Sequence, residues 1–269
     1  MSPAPAPGGS AEDQDLLDVL TLLAERAGKI VLKHYVALET EVRTKNDASP
    51  VTDADEETED FLLEALATLT PDIPVIAEEA ASANGLPVGA PGGEGGRFWL
   101  VDPLDGTKEF LSKNGEFTVN VALIEAGRPI AGVVHAPALA MTWAGAALGS
   151  ARFSQTDQPP MGIAGRAIPP EGATVVASRR HGDNADLERF LAGYKVAAMK
   201  NAGSSLKFCL LASGQADLYP RFGRTMEWDT AAGHAVLLAA GGRVETVQGE
   251  PLRYGKAGFE NPYFIAYGR

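Results

Sequence analysis

The sequence predicts a layered α/β protein, and three observations carry that expectation. Apolar residues recur at helical spacing after Ser10 and again after Ala54. Residues 117–125 alternate strictly, as a strand does. From residue 174 onward, strand and helix patterns follow one another regularly. A chain of 269 residues fits one or two domains. Two halves, 11–150 and 151–269, are expected behind a mobile tail over 1–10 of Pro, Ala, Gly and Ser. The weakly patterned stretch 150–172 marks the divide, and no internal repeat of domain-building length is visible.

Ser10 and Asp13 form a capping-box signature, and Leu16, Leu20, Leu23, Ala27, Ile30 and Val31 give the following helix an apolar face. Residues 43–50 are polar and read as a loop. A second helix runs from Ala54 to Leu69, with Phe61, Leu62, Ala65, Leu66 and Leu69 on one face, and Thr70-Pro71 stops it. Pro74 to Ala77 is a short strand leading into Glu78-Glu79. Residues 85–96 hold six Gly and two Pro, a composition that predicts a flexible flap. Phe98 to Val101 reads as a buried strand. Phe117, Val119, Val121 and Leu123 share one face of the next strand, and a turn over 126–129 joins it to Ile130–His135 as a hairpin. The second half reads as strand 174–178, helix 186–194, strand 196–199, helix 204–213, strand 217–222, helix 229–240 and strand 243–247.

A net charge of −12 argues against nucleic-acid binding through a basic surface, because phosphate neutralisation needs an excess of Lys and Arg. The same imbalance suits a protein that collects divalent cations. The one cysteine, Cys209, lies in an apolar stretch, so a disulfide framework and a multi-cysteine zinc site are excluded. No apolar run approaches the ~18 residues of a membrane span, and no basic amphipathic helix is apparent. Met1 to Ser10 lacks the basic and apolar regions of a signal peptide. A soluble, cytoplasmic protein is the expectation.

The chemistry concentrates in Asp102-Pro103-Leu104-Asp105-Gly106-Thr107, just after a short apolar strand. Pro103 holds Asp102 extended, and Gly106 permits a sharp turn. Two carboxylates and the Leu104 carbonyl then gather at a strand mouth. A helix starting at Thr107 would aim free N–H groups at the same place, as a metal-bridged phosphate requires. Glu78, Asp229 and Asp55 could join them. Two unit charges 4 Å apart repel by ~4 kcal/mol at an effective dielectric of 20, so such a cluster needs cations. Oxygen ligands with almost no His or Cys imply Mg²⁺. Taken singly, Asp55 also reads as the partner of Thr52 in a capping box, Asp229 as a helix N-cap, Glu78 as a solvated charge, and Asp102-Pro103 as an ordinary turn.

DPLDGT with a downstream WD resembles the inositol monophosphatase superfamily of lithium-sensitive, Mg²⁺-dependent phosphatases. The segments SPVTDAD (49–55), TPDIPVIAEE (70–79), FWLVDPLDGTKEF (98–110), VVASRRH (175–181), GSSLKFCLLASGQADLYPRFG (203–223) and EWDTAAGHAVLLAAGG (227–242) are most similar to its 3'(2'),5'-bisphosphate nucleotidase group, the CysQ type. The resemblance implies that family's alternating helix and sheet layers. It implies Mg²⁺ held by Glu78, Asp102, Asp105, Asp229 and the Leu104 main-chain oxygen. Gly106 and Thr107 would meet the scissile phosphate, and Asp55 with Thr107 would polarise the attacking water. Glu78 and Asp229 would also border the substrate. Ser205, Lys207 and Arg221 would lie near a phosphorylated nucleotide, with Lys108 beside the metal motif and His181 near the base. Arg179 and Arg224 are reserve cations. The expected reaction takes the 3'-phosphate from 3'-phosphoadenosine 5'-phosphate; the nearest alternative acts on inositol phosphates. A non-catalytic metal or nucleotide sensor would lack the Asp55–Thr107 pair, which is present. The oligomeric state stays open, a homodimer included, and peripheral inner-membrane association enters through the resemblance alone.

Overall fold

The structure is a computed structural model and describes residues 9–37, 42–44, 50–86, 96–155, 158–178 and 185–269. Most of the expected tail and flap, residues 1–8 and 87–95, lies outside these, as do Arg179 and His181. The first part of the chain runs α1 (Ala11–Tyr35), β1 (Val42–Thr44), β2 (Pro50–Thr52), α2 (Asp53–Leu69), β3 (Val75–Ala77), α3 (Glu78–Asn84), β4 (Arg97–Asp105), α4 (Thr107–Leu111), β5 (Thr118–Glu125), β6 (Arg128–Ala136), β7 (Met141–Gly145), β8 (Arg152–Gln155) and β9 (Met161–Gly162). It continues through β10 (Ala173–Ala177), α5 (Ala185–Leu191), β11 (Val196–Asn201), α6 (Leu206–Ala212), β12 (Leu218–Arg221), α7 (Ala231–Ala239), β13 (Arg243–Thr246) and β14 (Phe264–Tyr267).

Strands β3 to β9 lie in chain order in a seven-stranded sheet, parallel only between β3 and β4. A five-stranded sheet has the order β11-β10-β12-β14-β13. Alternation puts different side chains on the two faces of the large sheet. Trp99, Val101, Val119, Val121 and Val133 pack on Leu17, Leu20, Leu62 and Leu66 of α1 and α2. Phe98, Leu100, Ala122, Ile124 and Val134 face Phe208, Leu211, Val236 and Leu237 of α6 and α7, which in turn meet Val176, Tyr219, Val244 and Phe264 of the small sheet. Leu191 and Tyr194, on and just after α5, cover Val175 and Leu218 on the outer side. The layers are therefore helix, sheet, helix, sheet, helix. Helix α7 is buried almost all round because it lies between two sheets. Gly132 allows that approach: a Cβ there would lie 2.8 Å from the Ala232 carbonyl oxygen.

Both capping boxes are present, Ser10 with Asp13 and Thr52 with Asp55. Several expectations are corrected. Residues 43–44 and 50 belong to the β1–β2 ribbon rather than to a loop. Leu69 is 46% exposed, because the buried stripe of α2 runs through Leu62 and Leu66 and leaves its last turn uncovered. Strand β4 does not stop at Val101 but carries on through Asp105. Strands β7, β8, β9 and β14 have no counterpart in the sequence reading; β8 and β9 are short and only partly buried, which leaves little alternation to see.

Candidate active site and metal centre

The Asp102–Asp105 segment is built on a bulge. Asp102 pairs with Asn120 and Asp105 with Thr118, so three steps along β4 oppose two along β5. Pro103 fits there because the displaced position needs no ladder N–H. The Leu104 N–H instead donates to Asp102 Oδ1 at 3.1 Å. At Gly106 the backbone turns left-handed (φ 95°) and α4 starts at Thr107. A Cβ at Gly106 would fall 2.2 Å from Ser204 Oγ, which itself donates to the Asp105 carbonyl at 2.8 Å.

Three elements far apart in sequence bring carboxylates to this turn. Glu78 heads α3, Asp102 lies on β4, and Asp229 precedes α7; one oxygen of each falls within 4.8 Å of the others. Asp229 is not a helix cap. The cap is Thr230, and Asp229 Oδ2 accepts from the Met226 N–H at 2.9 Å. Asp105 stands beside this trio, its Oδ2 accepting from the Ser205 N–H at 2.7 Å and from Asn120 Nδ2 at 3.3 Å. Ser205 Oγ donates to the Asp229 carbonyl at 2.8 Å, so one serine ties Asp105 to Asp229.

Burial raises the carboxyl of Asp105 to about 6, with the charge of Lys207 opposing the rise. Burial raises Asp229 to about 8, and the negative charges of Asp105 and Glu78 add to the rise. Buried and half-buried acids crowded in this way raise one another's carboxyls despite Lys207 and Arg221 nearby, and an all-oxygen donor set suits a hard divalent cation. The residues present therefore fit a metal site.

Asp55 serves two purposes. Its Oδ2 accepts from Thr52 N at 2.8 Å and Thr52 Oγ1 at 2.7 Å, closing the capping box of α2. Its Oδ1 accepts from Thr107 Oγ1 at 3.4 Å. A cavity of about 270 Å³ opens beside Asp105, Gly106 and Asp229, with Lys108, Lys207 and Arg221 also on its wall. Lys207 reaches this wall although it is only 5% exposed. Its Nζ donates to the carbonyls of Ser204 at 2.7 Å and Ala202 at 3.2 Å. Burial lowers its ammonium to about 8, while Asp105 opposes the fall. Arg221 is oriented by the carbonyls of Gly223 at 3.2 Å and Arg224 at 2.8 Å. Lys108 is exposed at the rim. Arg224 instead faces outward to Glu260, at 3.3 Å.

Three residues of this neighbourhood escaped the sequence reading. Asn120 donates to Ser205 Oγ at 3.0 Å as well as to Asp105. Glu116 accepts from the Gly203 N–H at 2.6 Å. Glu59 accepts from the N–H groups of Glu79 and Ala80. The available signals were a lone amide between Val119 and Val121, and an acid one helical turn beyond Asp55.

Residues 12–262 match the family model described as Inositol monophosphatase family. The curated relatives include 3'(2'),5'-bisphosphate nucleotidase CysQ of Escherichia coli O157:H7, 47% identical over 255 residues (93% of this chain, 98% of the relative). The protein of the same name from Escherichia coli strain K12 is 46% identical over the same shares. Among solved structures, CysQ from Bacteroides thetaiotaomicron superposes with a TM-score of 0.77 at 34% identity, covering 95% of this chain and 98% of that one. An inositol monophosphatase from Zymomonas mobilis shares the fold at a TM-score of 0.72 and 24% identity, covering 97% and 94%. The turn at Asp102–Thr107, the carboxylates around it and these likenesses agree: the chain belongs to the inositol monophosphatase family, whose members are metal-dependent.

Proposed function

We propose that this protein is a 3'(2'),5'-bisphosphate nucleotidase that converts 3'-phosphoadenosine 5'-phosphate into AMP and phosphate, with Mg²⁺ as its cofactor. The observation that carries the chemistry is the approach of Glu78, Asp102 and Asp229 to within 4.8 Å, beside a cavity that also presents Lys207 and Arg221. The substrate rests on the extent of likeness to the CysQ nucleotidases. In this proposal residues 11–150 supply most ligands, including Asp105 and the Leu104 carbonyl, and residues 151–269 supply Asp229 and the substrate contacts. The protein acts in the cytoplasm.

When bound, divalent cations supply charge stabilisation to the phosphoryl group and make the attacking water more acidic. The chain's own residues do the rest. The N–H groups at Gly106 and Thr107 face the scissile phosphate at the start of α4. The Thr107 hydroxyl donates to Asp55 Oδ1, which leaves its lone pair free to accept from water. As the water oxygen bonds to phosphorus, its proton passes to Thr107 Oγ1 while Thr107 passes its own to Asp55. The ester oxygen leaves on the opposite side and takes a proton from solvent. Arg221 offers a fixed cation to the second phosphate. Lys207 adds charge at the cavity wall, Ser205 holds Asp105 and Asp229 together behind it, and Lys108 guards the rim. His181 is proposed near the base on sequence alone.

The test is phosphate release from 3'-phosphoadenosine 5'-phosphate and from inositol 1-phosphate, with Mg²⁺ and with chelator. Faster turnover of the nucleotide, lost in chelator and lost in Asp105→Asn with the fold retained, is expected. Faster turnover of inositol 1-phosphate overturns the substrate, and undiminished activity in chelator overturns the metal.

A further inference from the structure

Helix α3 has seven residues, and its N-cap, Ala77, has no side chain able to cap it. A helix that short is not stable alone, and its first N–H groups need partners. They find one on another helix. Glu59 of α2, only 3% exposed, accepts from the Glu79 N–H through Oε2 at 2.7 Å and from the Ala80 N–H through Oε1 at 2.6 Å. Each oxygen of this buried carboxylate thus accepts from one of the two N–H groups that follow Glu78. Such bonds are charge-assisted and two-pronged, so they fix direction as well as distance. A negative group at a helix N-terminus is also stabilised by the helix dipole.

Glu78 is the first residue of this turn, and its carboxylate must reach Asp102 and Asp229. We propose that Glu59 is a positioning residue for the metal centre: by gripping the main chain at Glu79 and Ala80, it sets the direction in which Glu78 presents its carboxylate. Glu59 is not among the residues that line the cavity beside Asp105 and Asp229, so its role is to position rather than to react. It lies one helical turn beyond Asp55, so a single face of α2 orients two parts of the site, Thr107 through Asp55 and Glu78 through Glu59. The inference rests on the metal-dependent phosphatase assignment for its purpose, and its test is independent of the substrate.

The test measures binding of Mg²⁺ alone to the full-length protein by calorimetry, alongside the metal-induced rise in melting temperature. The variants are Glu59→Gln, Glu59→Asp and, as a control, Asp60→Asn, an exposed acid on the same helix. Glu59→Gln keeps shape but turns one acceptor into a donor facing an N–H. Glu59→Asp keeps charge but shortens the reach. Both are expected to weaken Mg²⁺ binding by about 10- to 100-fold, as loss of a ligand-orienting partner does. In turnover assays the Mg²⁺ requirement rises by a similar factor, while kcat at saturating Mg²⁺ and substrate KM change little. Asp60→Asn is expected to bind Mg²⁺ as the unaltered protein does. Three results overturn the proposal: unchanged Mg²⁺ binding in Glu59→Gln, equal weakening in Asp60→Asn (a general field effect), or a Glu59→Asp variant that binds normally. A Glu59→Gln protein that does not fold leaves Glu59→Asp to decide. If the unaltered protein binds no Mg²⁺ at all, the metal assignment itself falls.

Discussion

Asp55 and Thr107 meet at 3.4 Å although 52 residues separate them, and the oxygen that Asp55 does not offer to Thr107 closes the cap of its own helix. A residue usually explained by local helix chemistry therefore also reaches the candidate site, through Thr107. Its orientation is fixed by the cap, which leaves Oδ1 pointing at Thr107 before any substrate arrives.

Replacing Thr107 by Val removes the hydroxyl and preserves the shape. Loss of a proton-transfer partner costs about 10²- to 10⁴-fold, so kcat should fall by at least that lower factor with little change in melting temperature. Asp55→Asn should lose activity similarly and also stability, by about 1 kcal/mol, because the cap weakens. Phosphate-release rates beside thermal melts separate the two effects.

Metal binding should expel protons. Without metal, Asp229 titrates at about 8 and Asp105 at about 6, both raised chiefly by burial. Near pH 7 the first is largely protonated and must lose its proton to serve as a ligand. Mg²⁺ affinity should therefore climb as pH rises from 6 to 8 and level off above. Calorimetry in two buffers of different ionisation heat would reveal the released proton. Affinity independent of pH across this range would contradict the expectation.

Acid should destabilise the fold through two buried histidines. Burial lowers His135 to about 4 and His234 to about 3. In the unfolded chain both titrate near 6.5, so the unfolded state binds more protons below that pH. Their contribution is complete above about 6.5 and is lost as pH falls towards the folded values, at about 3 kcal/mol for His135. Denaturant midpoints between pH 7 and 4 should fall steeply, and His135→Gln should flatten part of that slope.

Gly132→Ala should harm stability and spare chemistry. The added Cβ would lie 2.8 Å from the Ala232 carbonyl and 2.9 Å from its Cα, so α7 would have to lift from β6. Overpacking of this kind costs about 1–3 kcal/mol. Urea unfolding should show that loss while turnover per folded molecule holds.

The sequence-visible parts were those whose chemistry is local. Capping boxes at Ser10 and Thr52, the αL turn at Gly106 and the alternation of 117–123 depend on neighbours a few residues away, and each formed as expected. The hexapeptide at 102–107 announced the site because its Pro and Gly restrict backbone shape around two acids. Glu59 stayed hidden because it sits in an acidic helix, where one more acid looks like solvated charge; its importance comes from α3, which touches α2 only in the folded chain. Lys207 was visible as a cation but not its downward turn. Ser204 adopts a left-handed φ of 45°, unusual for a residue with a side chain, and its carbonyl captures the ammonium. No pattern in the local sequence specifies that conformation.

Ser205 links Asp105 of the first sheet to Asp229 at the head of α7, and this has a consequence for biosynthesis. A nascent chain emerging from the ribosome carries Glu78, Asp102 and Asp105 long before residue 229 is made. Until the late segment docks, the cluster that Glu78, Asp102 and Asp229 form in the folded chain is incomplete. On the proposed assignment, a chain cut short before residue 229 lacks one of the clustered carboxylates and should hydrolyse no substrate.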